Sequence, residues 1–229
     1  MTAEMTVGAT APANSPMTAR LQISALRSAL AGPFSFALAA GECLAVLGPS
    51  GSGKSLLLRM ICDLDPNSGE AWVDGAARAQ MTAPQWRARV VYQPAEAAWW
   101  EPTAAAHFKP EQMERVHALL PRLNLSAALL DADIARLSTG ERQRMALIRS
   151  LACAPRVLLL DEPTAALDED AIAATEALLK AELQAGLSIV LVTHSRQQAA
   201  RLCQRRLHMR ERRLAAADGD GDVDGIVAP

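Results

Sequence analysis

Gly48-Pro49-Ser50-Gly51-Ser52-Gly53-Lys54-Ser55 decides how this chain is read. The stretch fits G-x-x-x-x-G-K-[ST], and the apolar run Cys43-Leu44-Ala45-Val46-Leu47 ends just before it, as a strand feeding a phosphate loop requires. Glycines let successive backbone N–H groups turn toward phosphate oxygens, Lys54 reaches the β and γ oxygens, and the Ser55 hydroxyl can sit on Mg²⁺. A helix beginning near Lys54 and continuing through Leu56 adds the positive end of its dipole. The plain alternative, a Gly/Ser-rich turn joining strand to helix, is disfavoured by the strand and helix contexts on either side.

Outward from this loop, strand-like runs alternate with helical patterns. Strands are expected at 43–47, 89–92, 157–161 and 188–193, and helices at 54–63, 141–153, 170–185 and 196–203. The runs Val157-Leu158-Leu159-Leu160-Asp161 and Ser188-Ile189-Val190-Leu191-Val192-Thr193 are apolar on both faces, as strands buried between helix layers must be. The order predicts an α/β fold with a mostly parallel sheet and the phosphate loop at the carboxyl edge of its strand. Residues 94–136 differ. Pro94, Pro102, Pro110 and Pro121 interrupt them, with helical patterns at Gln112–Leu120 and around Ala127–Ile134 and no convincing strand, which suggests an inserted helical lobe.

Composition narrows the function classes. The 229 residues allow one generous α/β domain, and a formal net charge of −2 gives no basic excess for nucleic acid or for a polybasic membrane patch. No run approaches the roughly 18 to 20 apolar residues of a spanning helix. The start lacks a basic segment followed by an apolar one, so no secretory signal is expected and the reading is cytosolic. Cys43, Cys62, Cys153 and Cys203 contain no C-x-x-C and are expected to be reduced, buried thiols. Residues 1–18 and the acidic stretch 215–229 read as disordered tails; Asp218 to Gly225 resembles a calcium loop only superficially, since its twelfth position would fall beyond Pro229.

Asp161 and Glu162 place two carboxylates at the C-terminal tip of a buried strand, where such sheets bind ligands. Asp161 is a candidate Mg²⁺ holder and Glu162 a candidate general base for an attacking water. Ser138 with Glu141 forms an S-x-x-E capping box opening a helix whose Met145, Ile148 and Leu151 recur at helical spacing.

With these elements in view, the chain resembles an ABC-type ATPase over about residues 19–214. The resemblance rests on the phosphate loop, Tyr92-Gln93, Leu137-Ser138-Thr139-Gly140-Glu141-Arg142-Gln143-Arg144, Asp161-Glu162-Pro163-Thr164, Ala165-Ala166-Leu167-Asp168 and Thr193-His194, in that order. It implies a P-loop NTPase core with a mostly parallel sheet, an antiparallel β subdomain and an inserted helical subdomain, binding ATP and Mg²⁺. Gln93 matches the glutamine that touches Mg²⁺ or the attacking water and couples to a membrane partner. Ser138 and Gly140 match the signature that contacts the γ-phosphate held by the opposite subunit, Asp168 the dimer-contacting aspartate, and His194 the switch histidine. The implied protein is a dimer with composite ATP sites on the cytoplasmic face of a membrane, driving a separate integral-membrane transporter subunit. Small bacterial iron-export-like subunits are the narrower match. A regulatory ABC subunit in a heterodimer and a soluble ABC ATPase outside transport remain as alternatives.

The signature, where Glu141 also replaces the common glutamine, and the adenine platform depart from the family pattern, and a tryptophan pair stands out beside them. Thr139 occupies the usual second-residue glycine of the signature, where a β-branched side chain restricts the backbone. No aromatic residue occurs in Ile23–Leu30, where relatives usually place the adenine platform, and Arg27 is the candidate to stack there instead. Trp99 and Trp100 form a tryptophan pair in a chain that is only 3% aromatic, suited either to packing within the lobe or to a partner contact.

Overall fold

The computed structural model describes residues 19–216. β1 (Leu21–Arg27) and β2 (Phe34–Leu38) pair antiparallel, and β3 (Cys43–Leu47) then starts a second sheet, followed by α1 (Lys54–Ile61). β4 (Ser68–Val73) and β5 (Ala76–Ala77) complete the first sheet in the order β2-β1-β4-β5, antiparallel throughout. α2 (Ala83–Arg89) carries a Thr82–Gln85 capping box and leads into β6 (Val90–Gln93). Beyond the lobe and its α3 (Met113–Leu119) come α4 (Thr139–Ala152), β7 (Val157–Asp161), α5 (Glu169–Gln184), β8 (Ser188–Val192), α6 (Arg196–Leu202), β9 (Arg205–Arg210) and β10 (Arg213–Ala216).

The second sheet has the order β10-β9-β3-β8-β7-β6, parallel except for β10. Its central strands are apolar on both faces because each face has its own core. Cys43, Ala45, Leu158, Leu160, Ile189 and Leu191 point into one core with α4, α5 and the lobe. Leu44, Val46, Val157, Leu159, Val190 and Val192 point into the other, against α1 and the antiparallel sheet. The period-two alternation therefore assigns every apolar residue of β3, β7 and β8 to a hydrophobic layer, each buried Val or Leu contributing roughly 1.5–3 kcal/mol.

The expected core strands and helices occur within one or two residues at each end. The lobe departs further. The helix expected at Gln112–Leu120 is Met113–Leu119, ended by Pro121, whose ring excludes a continuing turn. The helix expected around Ala127–Ile134 is two 3-10 turns, Ala127–Leu130 and Ile134–Arg136. Asp133 interrupts it by turning its side chain onto the Ala135 N–H at 2.9 Å, a cap that starts the second turn afresh. The lobe's strand-like pairing, among the described residues, is an isolated bridge between Thr103 and Asp133. Cys153 is exposed, unlike the buried Cys43, Cys62 and Cys203, because it follows the C-terminal end of α4. The tail assignments for 1–18 and the acidic stretch lie outside the described residues, save that β10 runs on through Ala215 and Ala216.

Candidate active site

β3 delivers the chain into residues 48–53. A Cβ on Gly48 would lie 2.4 Å from the Met209 carbonyl oxygen, so the loop starts pressed against β9 and no other residue fits. Gly53 precedes α1 at φ 107°, a conformation that a side chain would strain. No side chain caps α1 and no acidic residue lies in its first turn, leaving backbone N–H groups of the loop and helix start for an anion. Lys54 Nζ folds back over the loop, donating to the carbonyls of Gly48 at 2.7 Å and Pro49 at 2.9 Å. Burial lowers the Lys54 ammonium below its usual range, while Glu162 and Asp161 act in the opposite direction. These three groups thus share one electrostatic neighbourhood.

Asp161 ends β7 and is 5% exposed. Tyr92 Oη donates to its Oδ2 at 3.2 Å, and burial together with Asp161 raises that phenol. Gln93, on the neighbouring strand tip, is 2% exposed, and neither atom of its amide has a hydrogen-bond partner. A buried, unsatisfied amide costs about 1–3 kcal/mol unless a ligand or water meets it. Glu162 follows Asp161 at φ 47°, its N–H on the Val192 carbonyl at 2.9 Å. His194 Nε2 lies 3.0 Å from Glu162 Oε1, and the His194 backbone N–H donates to Oε2 at 3.3 Å. Burial pushes the Glu162 carboxyl above the usual carboxylate range, against the pull of His194 and Lys54 toward ionisation.

Two glutamines outside the candidate set hold the segment that begins at this carboxylate. Gln143 Nε2 donates to the Glu162 carbonyl at 2.9 Å, and its Oε1 accepts from Ala166 N at 3.3 Å. Gln198 Nε2 donates to Thr164 Oγ1 at 2.8 Å. The segment Glu162–Ala166, left-handed at its start, is thereby pinned from α4 and from α6. A sequence signal existed for Gln143: with Leu147 and Leu151 it lies at i, i+4, i+8 on the buried face of α4, and a buried amide must have partners.

The structure brings Lys54, Gln93, Asp161, Glu162 and His194 to one edge of the sheet, but not Ser138, Gly140 or Asp168. Ser138 and Glu141 form the expected capping box, with Ser138 N to Glu141 Oε2 at 2.8 Å and Glu141 N to Ser138 Oγ at 3.2 Å. The Ser138 N–H and hydroxyl hold the Glu141 carboxyl below its usual range. Gly140 packs beside Ala166 and Leu167, and Asp168 caps α5 through Ala171 N at 2.8 Å. Thr139 Oγ1 accepts from Arg142 at 3.3 Å. Arg27 sends Nε toward Ser68 Oγ at 3.4 Å, on β4. Arg149 stacks over Trp99 at 4.3 Å and Trp100 at 4.9 Å, and His107 packs edge-on against both rings. Trp99 is partly buried against the core, whereas Trp100 is 69% exposed.

The sequence profile of the family described as ABC transporter matches residues 32–165, more than half of the chain. The chain belongs to the ABC transporter family. Among its ABC relatives, the Fe(3+) ions import ATP-binding protein FbpC of Pseudomonas fluorescens is 35% identical over 195 residues, covering 80% of this chain and 55% of that protein. The sulfate/thiosulfate import ATP-binding protein CysA of Caulobacter vibrioides is 38% identical over 188 residues, covering 73% and 54%. The chain spans about half the length of the curated relatives it matches. A solved ABC structure described as the ATP binding subunit of an ABC transporter superposes with a TM-score of 0.78 at 24% identity, covering 86% of this chain and 88% of that one. A dimeric post-hydrolysis ATP-binding cassette bound to ADP and Pi gives 0.72 at 23%, covering 85% and 96%. These likenesses establish the fold, an α/β P-loop NTPase core with an antiparallel sheet beside it.

Proposed function

We propose that this chain is the ATP-binding and ATP-hydrolysing subunit of an ABC transporter, acting on the cytoplasmic face of a membrane and driving a separate transmembrane subunit. The convergence of Lys54, Asp161 and Glu162 on a helix start with free N–H groups carries the reading. Loop amides of residues 48–53, with Leu56 just beyond on α1, and Lys54 would hold the phosphates. On ATP, Lys54 would exchange its two carbonyl partners for phosphate oxygens, a stronger charge-assisted pairing.

Mg²⁺ fits the same edge, because Ser55, Asp161 and the unpartnered Gln93 offer the hard oxygen donors it prefers. Ser55, Gln93 and Asp161 would hold it, and the ion would neutralise phosphate charge there. Glu162, oriented by Gln143, would accept the proton of the attacking water, and His194 would leave Glu162 to meet the γ-phosphate. The raised Glu162 carboxyl brings its basicity nearer to neutral pH, as a general base needs.

Ser138 and Gly140 on one subunit would complete the site on its partner in a head-to-tail dimer, with Asp168 at the contact. Exposed Trp100, braced by Arg149, would meet the membrane subunit. No helix among the described residues is long and apolar enough to cross a membrane. The iron-export-like match rests on the compact lobe and the run 137–149 alone. The ABC relatives named above carry import names for Fe(3+) and for sulfate or thiosulfate, so we assign cargo and direction to the membrane subunit rather than to this chain.

Thr139 in the signature favours one second reading, a regulatory subunit that pairs with a different ATPase. Purified chain alone separates the two: Mg·ATP turnover that rises with the square of protein concentration supports an active homodimer, nucleotide binding without turnover supports the regulatory reading, and no nucleotide uptake by calorimetry overturns both.

A further inference from the structure

We propose that Arg212, at the tip of the β9–β10 hairpin, seats the purine of the nucleotide in place of the aromatic residue that Ile23–Leu30 lacks. The inference rests on reading residues 48–55 as a triphosphate cradle. Its first support is directional. The strand order β10-β9-β3-β8-β7-β6 puts Gln93, Asp161, Glu162 and His194 at strand tips on one side of β3, and the β9–β10 hairpin on the other. A nucleotide whose terminal phosphate meets those four residues must run its α-phosphate and base across the loop toward β9.

Arg212 stands at that end. A Cβ on Gly53 would lie 3.4 Å from Arg212 Cγ and 3.7 Å from its Cβ, so the arginine stem rests against the residue preceding Lys54. Arg212 Nη1 donates to the Leu30 carbonyl at 3.0 Å, and the Arg212 carbonyl accepts from Gly32 N at 3.1 Å. The side chain therefore bridges the phosphate loop and the β1–β2 loop, with one edge of its guanidinium fixed and the residue exposed. A planar guanidinium held at one edge is suited to stack on an aromatic ring.

The turn's backbone points the same way. Glu211 and Arg212 have φ of 48° and 62° in a two-residue hairpin turn, where glycine, asparagine or aspartate is favoured. An arginine kept at a left-handed position carries a conformational cost that its side chain must justify. Arg27, the other arginine near this loop, is turned toward Ser68.

Calorimetric titration of Mg·ATP and of Mg·tripolyphosphate into the wild-type chain, Arg212→Gly and Arg212→Lys tests the assignment. Glycine suits the positive φ, so the hairpin keeps its turn. Arg212→Gly should weaken Mg·ATP by roughly fivefold to thirtyfold and leave tripolyphosphate within about twofold, and Arg212→Lys, which keeps charge without a plane, should also weaken ATP. Equal weakening of both probes would assign Arg212 to phosphate charge and overturn the purine role. Unchanged ATP affinity in Arg212→Gly would overturn it while leaving the cradle intact. Wild-type chain that takes up neither probe would remove the cradle reading and this inference with it.

Discussion

The two sides of β3 do different work with different materials. On the β8–β7–β6 side, the groups proposed to react sit on the tips of buried parallel strands, and the Glu162–Ala166 turn is braced by side chains from α4 and α6. On the β9–β10 side, a hairpin tip rests on the phosphate loop through the stem of one exposed arginine and is tied to the β1–β2 loop by two hydrogen bonds. A rigid, multiply tied edge suits groups that must be held in reacting geometry, and a lightly held arm suits a base that only needs to be bound. Changes on the first side should lower turnover and spare affinity, and changes on the second should do the reverse.

Glu162→Gln should have the largest effect: turnover lower by roughly a hundredfold or more with Mg·ATP binding retained, read by steady-state kinetics and calorimetry. Normal turnover would remove Glu162 as the base. The same variant carries a pH signature. Because burial raises the Glu162 carboxyl in the folded chain, the folded state holds more protons than the unfolded one between the two values. Stability from this group is complete below the unfolded value and is lost as pH rises through the folded one. Glu162→Gln should therefore melt no lower than wild type near neutral pH and lose that pH slope in thermal unfolding.

Gln143→Ala comes next. It leaves the Glu162 carbonyl and the Ala166 N–H short of a partner, so unfolding free energy should fall by about 1–3 kcal/mol. Turnover should drop roughly tenfold to a hundredfold while ATP affinity holds. Loss of affinity equal to loss of turnover would erase the contrast between the two sides. Tyr92→Phe should act more gently. Removing the hydroxyl from Asp161 Oδ2 should raise the Mg²⁺ concentration for half-maximal turnover by roughly threefold to tenfold, with metal-free nucleotide binding unmoved. Thr139→Gly should change least, with turnover equal or modestly higher; a large fall would show that the threonine is specifically required.

Legibility divides along the same line. The Gly-rich loop before α1, the two carboxylates at the end of β7 and the capping box at Ser138 are local patterns, and the structure has each at the position that the spacing predicts. Arg27 illustrates the opposite case. It is the arginine within the segment that lacks the aromatic, and its Nε bond to Ser68, 41 positions away on the adjacent strand, is not visible in any local pattern. Gln143 and Gln198 escaped because their partners lie 19 and 34 positions away, and no motif announces a bond of that span. In the lobe, four prolines and short polar caps divided a helical pattern into 3-10 turns, since periodicity shows which face is apolar but not where an aspartate will restart the chain.

Sequence by itself determined the family, the parallel strands buried on both faces and the Gly-rich turn into α1, because hydrophobic period and glycine spacing act within a few residues of each other. Tertiary structure alone decided that α4 and α6 grip the Glu162 turn, that Arg149 braces the tryptophan pair, and that Arg212 arrives beside Gly53, 159 positions earlier in the chain. The Arg212 contact exists only once β9 has paired with β3, and that pairing is set by the packing of two cores rather than by any local pattern.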